Sequence, residues 1–170
     1  GQRRFARGRG GAPAAASIEA LAAQGVRELA GTAHAVTVPA CLRAWDLLST
    51  THGTKPLGAL LQHAIRYADE GYPVLGRVAF DWRRAAATLE RSEAGKAFYL
   101  PAGRAPAEGR IMRLPALART LKRIAEHGVG AFYTGELAQK MVYSLAGWGG
   151  LHTEEDFAAA SAEFVDPIHS

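Results

Sequence analysis

The short run whose residue types best suit bond-breaking chemistry is Thr50-Thr51-His52, followed by Gly53. A threonine hydroxyl at a newly made N-terminus can be activated by its own α-amine and attack an amide carbonyl. A chain cut just before this run would therefore carry a nucleophile. Such a threonine has to head a buried β-strand, so that amine and hydroxyl face one cleft. Here Gly53 turns the chain and Pro56 opens a helix, so the tripeptide reads as the end of one helix and the approach to the next.

Other chemistry is sparser. His34, His52, His63, His127, His152 and His169 are scattered, and no two of them stand at the i, i+4 spacing that puts two histidines of a helix on one metal. No metal site is expected. No glycine loop follows a strand to cradle phosphate, and no G-x-S-x-G elbow occurs. The carboxylates Asp69, Glu70, Asp81, Glu126, Glu136, Glu154, Glu155 and Asp156 read as solvated or capping groups before they read as an acid/base pair. Trp45, Trp82, Phe98, Phe132 and Trp148 read as core and interface aromatics.

The elements that must position these residues are helical. The 170 residues are 48% apolar and 21% charged, in the range of one ordinary domain with a core. The single cysteine, Cys41, excludes an internal disulfide. It fits a reducing compartment, and equally a periplasmic protein without disulfides. No run approaches the roughly 18 apolar residues that span a bilayer. The net charge of +4 alternates with acids along the chain, except in the Arg-rich, Gly-rich start from Gly1 to Gly11, which reads as a loop in preference to a nucleic-acid arm.

Ala-rich sequence from Pro13 to Leu29 predicts a first helix interrupted by Gly25. Val36-Thr37-Val38 is extended, and Pro39 serves as a first-turn residue of a helix over Ala40 to Ser49, with Leu42, Trp45 and Leu48 on its buried face. Leu57, Leu60, Leu61, Ala64, Ile65 and Ala68 follow helical spacing up to Gly71. Pro73 reopens a helix to about Arg91, with Val74, Val78 and Trp82 as its stripe. The stretch 100–113 is a loop between two helical groups. Helices follow over Pro115 to His127 and Thr134 to Leu145. Thr153 with Asp156 then caps a last helix to about Ala162. The whole reads as a single helical region over 1–170, with almost no strand pattern.

The order of these pieces is more specific than any one of them. Val36-Thr37-Val38-Pro39 and Trp45 are followed by His52-Gly53-Thr54, then by the run from Ala64 to Val74 with Asp69-Glu70-Gly71-Tyr72-Pro73. Leu100-Pro101-Ala102-Gly103-Arg104 comes next, then Pro115 to Leu121 and Ile124 to Gly128, then Ala131 to Ala138. Gly149-Gly150-Leu151-His152-Thr153-Glu154-Glu155-Asp156 closes the series. In that order they resemble the large-subunit region of the γ-glutamyltransferase (γ-glutamyltranspeptidase) family, from about residue 9 onward.

The resemblance implies a self-cleaving N-terminal-nucleophile proenzyme. Its new N-terminal threonine attacks a γ-glutamyl amide of the glutathione type and passes the acyl group to water or an amino acid, with oxyanion stabilisation and no metal or organic cofactor. The chain then corresponds to the mainly α, helical portion of an αββα sandwich, with most strands, the small subunit and the nucleophile absent. No catalytic residue is expected in it, and it should be inactive alone. It should self-associate or bind the missing part through exposed apolar faces. Thr50-Thr51-His52 occupies a different place in the family order.

The family's Arg-Glu-x-Ala-Pro segment, whose arginine holds the substrate α-carboxylate, is matched by Arg9-Gly10-Gly11-Ala12-Pro13 at Arg, Ala and Pro. Arg9 is thus the candidate substrate-binding residue. Gly10 stands where the family has Glu, Gly11 where some relatives carry the arginine, and Ala40 where the family has glycine. These departures keep open another amide substrate, such as oxamate, and a non-catalytic helical binding module.

Overall fold

The computed structural model describes residues 5–166. The first four residues of the Arg-rich start, and His169, lie outside them. Helices take up 57% of the described residues and strands 6%. In chain order they are β1 (Phe5–Arg7), α1 (Ile18–Ala23), a 3-10 turn (Ala33–Ala35), α2 (Cys41–His52), α3 (Leu57–Leu60), α4 (Gln62–Glu70) and β2 (Tyr72–Pro73). Next come α5 (Gly76–Leu89), α6 (Glu93–Tyr99), a second 3-10 turn (Pro101–Gly103) and β3 (Ile111–Met112). The chain continues with α7 (Pro115–His127), α8 (Gly130–Tyr133), α9 (Glu136–Gly147), α10 (Glu154–Ala158) and β4 (Glu163–Val165).

The chain forms two compact units, one from residues up to 60 and from 123 onward, the other from Leu61–Lys122. In the first, β1 and β4 pair antiparallel with Ala6 opposite Phe164, and Arg7 and Glu163 form an ion pair at the end of the ladder. Its core gathers Val38, Ala138, Leu145 and Phe157, with Met141 and Val142 packed against them. Tyr133 is fully buried nearby. Its hydroxyl accepts from the Arg43 N–H at 3.3 Å, and the Arg43 guanidinium lies 4.3 Å above its ring centre. In the second unit, β2 and β3 pair antiparallel around a small core of Val74, Ala79 and Met112, covered by Tyr72 and Trp82. Gly71, at φ 101°, ends α4 and lets the chain enter β2 in a conformation a side chain would resist.

Several sequence expectations need correction. The first helix is six residues long and starts at Ser17, whose hydroxyl accepts from the Ala20 N–H at 3.1 Å; the Ala-rich run around it stays irregular. Ala40, not Pro39, adjoins α2 as its cap residue, and the helix runs on to His52. Helical spacing correctly groups Leu42, Trp45 and Leu48, but of these only Leu42 is buried: Trp45 is 47% and Leu48 43% exposed, while Ala44 takes the inner position. The run after Pro56 breaks into α3 and α4 at Leu61, where ψ flattens to −13°. Pro73 belongs to β2, and α5 begins only at Gly76. Trp148 and Phe98 are exposed as well.

Candidate functional site

Arg9 sits just after β1 on a strap that is pressed against the segment leading into α2. A Cβ built on Gly8 would lie 2.7 Å from the Ala40 carbonyl oxygen, and one on Gly10 only 1.9 Å from the Val38 carbonyl oxygen. Both glycines are therefore demanded by close approach of backbone to backbone. The Val38 N–H donates to the Gly11 carbonyl at 2.9 Å, Pro13 is buried, and the Ala14 N–H donates to Asp156 Oδ1 at 2.8 Å. The strap is thus held before Arg9 by the β1–β4 pairing and after it by the bonds of Gly11 and Ala14.

Arg9, Ala12, Val38, Asp156, Ala160 and Ser161 line a cleft of about 240 Å³. The two acidic oxygens in it are already engaged: Asp156 Oδ1 by Ala14, and Oδ2 by the Thr153 N–H at 2.9 Å and the Thr153 hydroxyl at 3.2 Å. Arg9 is exposed and makes no ion pair among the described residues. An exposed guanidinium offering parallel N–H donors is suited to hold an incoming carboxylate in a two-pronged geometry.

Burial raises the Asp156 carboxyl. The hydrogen bonds from the Ala14 N–H and from the Thr153 N–H and hydroxyl outweigh it, and the net pKa lies below the ordinary aspartate value. A carboxylate whose folded pKa is depressed contributes stability above its unfolded pKa and loses it as pH falls through the folded one. Unfolding midpoints measured from about pH 6 down to about pH 2 should therefore fall more steeply for the native chain than for Asp156→Asn. Parallel acid curves would show that Asp156 contributes nothing.

Thr50, Thr51 and His52 form the last turn of α2. The Thr50 hydroxyl donates to the Asp46 carbonyl at 2.7 Å within the same helix, and the His52 ring meets the edge of Phe164 at 5.5 Å. Thr50 borders a different cleft, of about 430 Å³, that also holds Asp46 and Lys55. The three residues are exposed and are not assembled into a catalytic group. Thr50→Ala should change folding stability by no more than about 0.5 kcal/mol. It should also leave any amidase activity of the parent protein intact; a loss of turnover above tenfold, on the order of 1.4 kcal/mol, would contradict this placement.

Among the described residues no three metal-ligating side chains converge. Asp69 pairs with Lys122 at 2.6 Å, Asp81 with Arg77 at 2.8 Å, and Glu136 with both Lys140 and Arg123, at 2.6 and 3.1 Å. Glu154 accepts from Gln139. Two residues gain a meaning that the sequence reading did not give them. Asp156 caps α10 as its spacing indicated, with Thr153 completing the reciprocal box, but its bond to Ala14 joins residues 142 positions apart. His152 was one of six scattered histidines, yet it is 4% exposed.

The described residues form a mainly helical chain whose ends are joined by a two-stranded antiparallel pair. The structure superposes on the crystal structure of cephalosporin acylase from Bacillus halodurans with a TM-score of 0.89 and 37% identity, covering 96% of this chain and 32% of that one. The γ-glutamyltranspeptidase family model matches residues 1–170, and the chain belongs to that family. It is 32% identical to a glutathione hydrolase-like proenzyme of Bacillus subtilis over 84% of its length, and 32% identical to the oxamate amidohydrolase proenzyme of Klebsiella pneumoniae over 94%. It spans 27% of the length of the first relative and 31% of the second.

Proposed function

We propose that residues 1–170 act as a single helical region of the large subunit of a self-processing amide hydrolase or acyltransferase. Its threonine nucleophile and most of its sheet lie in sequence outside this chain. In the assembled enzyme the threonine hydroxyl adds to the amide carbonyl of the donor, its α-amine takes the proton, and the amine leaving group departs to give an acyl-enzyme. Water or an amino acid then takes the acyl group. Arg9 contributes the hold on the donor's carboxylate.

The observation that carries this reading is the exposed Arg9, without an ion pair among the described residues, on a strap held by the β1–β4 pairing before it and by the Gly11 and Ala14 hydrogen bonds after it, in a chain of this family. The small share of each relative that the chain spans, and the exposed Trp45 and Leu48 on α2, support a further segment of the same proenzyme as the partner that covers that face.

A γ-glutamyl donor is the first substrate class. Oxamate is the second, favoured by Gly10: its contact with Val38 leaves no space for the glutamate found in the γ-glutamyl pattern, and a relative of equal identity is an oxamate amidohydrolase proenzyme. Release of 4-nitroaniline from γ-glutamyl 4-nitroanilide, run beside ammonia release from oxamate on the whole parent protein, distinguishes them. Turnover of the first supports the γ-glutamyl reading, turnover of the second the oxamate reading. Turnover of neither favours a helical binding module without catalysis.

A further inference from the structure

The backbone around Arg9 is tied down from one place. The turn that starts α10 supplies two side chains: Asp156 Oδ1 accepts from the Ala14 N–H at 2.8 Å, and His152 Nε2 meets the Val36 carbonyl at 2.9 Å. Val36 begins the extended segment whose Val38 N–H donates to Gly11 and whose Val38 carbonyl abuts Gly10. Asp156 therefore holds the strap after Arg9, and His152 holds the surface on which the strap lies.

The histidine is an expensive choice for a mere filler. With Nε2 donating to a carbonyl, Nδ1 is left as a bare acceptor, and it has no hydrogen-bond partner among the described residues although the side chain is 4% exposed. An apolar side chain would pack against Phe157, whose ring centre is 6.4 Å away, without burying an unpaired nitrogen. What histidine adds is a directional bond to Val36.

We propose that His152 and Asp156 are positioning residues for recognition of the donor's carboxylate, acting through the Arg9 strap. This rests on the reading of Arg9 as the carboxylate-binding group. A guanidinium displaced by about 1 Å loses its two-pronged geometry, and errors of that size at a positioned group are large in kinetic terms.

The test uses the whole parent protein with γ-glutamyl 4-nitroanilide, and its α-methyl ester as the probe without a carboxylate charge. Arg9→Ala should raise KM for the free acid about tenfold or more. Asp156→Ala and His152→Phe should each raise it by roughly three- to tenfold, with kcat within about twofold and KM for the ester unchanged. Because Asp156 acts through Arg9, the Arg9→Ala/Asp156→Ala pair should be no worse than Arg9→Ala alone. Asp156→Asn keeps a carbonyl oxygen for Ala14 and should recover part of the loss; it carries the same comparison if the alanine variant does not fold.

The outcomes separate the two ideas. If Arg9→Ala raises KM for the acid but the Asp156 and His152 variants do not, or if their effects simply add to its own, the positioning role is overturned and Arg9 stands. If Arg9→Ala leaves KM for the acid unchanged, the Arg9 reading itself fails and the positioning role falls with it; where oxamate alone is turned over, the same KM comparison is made with oxamate and an unchanged KM for Arg9→Ala overturns both, as does turnover of none of the three.

Discussion

Phe157→Ala is expected to lower the stability of the unit that carries Arg9 by about 3–5 kcal/mol, the range for removing a fully buried aromatic side chain. Phe157 is 1% exposed and belongs to the cluster with Val38, Ala138 and Leu145. Its helix, α10, has five residues, too few to be stable on intrinsic propensity. Two things keep it in place: the reciprocal Thr153–Asp156 box and the Phe157 ring. Losing the ring leaves a cavity beneath the turn that supports Asp156, so stability and carboxylate binding should fall together. Urea unfolding of the native and variant chains measures the first; a loss below about 1 kcal/mol would mean that the site collapses around the cavity and that Phe157 is not the anchor.

Gly10→Glu, which restores the residue common in the family pattern, should likewise destabilise, by about 3 kcal/mol. The obstacle is backbone: the new Cβ would stand 1.9 Å from the Val38 oxygen and 2.7 Å from Thr37 Oγ1. The Val38 oxygen cannot swing aside as a side-chain tip would, because the neighbouring N–H is committed to Gly11 and Val36 is held by His152. Gly11→Ala is the matched control. Nothing lies within 4 Å of its Cβ, and the change should stay within about 0.5 kcal/mol. If Gly10→Glu proved as stable as the native chain, the 36–38 segment would have to be yielding, and the close packing of the strap would lose its meaning.

These two residues also show what the sequence made legible. Signals that act within a few residues were readable: α7 occupies Pro115–His127 with proline at its first position and Gly128 after its end, α4 stops at Gly71, and Thr153 with Asp156 starts α10. Contacts made across the chain were not. β1 and β4 are three residues each and pair over a separation of more than 150 residues, so neither contains enough alternation to announce itself. The periodicity of α2 found an apolar face but could not say that Ala44 would be covered while Trp45 and Leu48 remained open. Gly10 was noticed as a departure from a pattern; its cause, the Val38 carbonyl, lies in a segment 28 positions away. His152 looked the same as five other histidines because burial is a tertiary property. Arg9 rests on resemblance alone; the structure places it, exposed, at a cleft and on a strap whose Ala14 N–H donates to Asp156.

The central claim is that this chain belongs to a protein that cuts itself to expose a threonine nucleophile outside residues 1–170. It is tested most directly by the intact mass of the product of the whole parent reading frame, together with the N-terminal residue of any second chain. The account predicts two chains, the larger containing Arg9 and the smaller beginning with threonine. A single uncut chain of full mass, or a second chain beginning at another residue type, would contradict it.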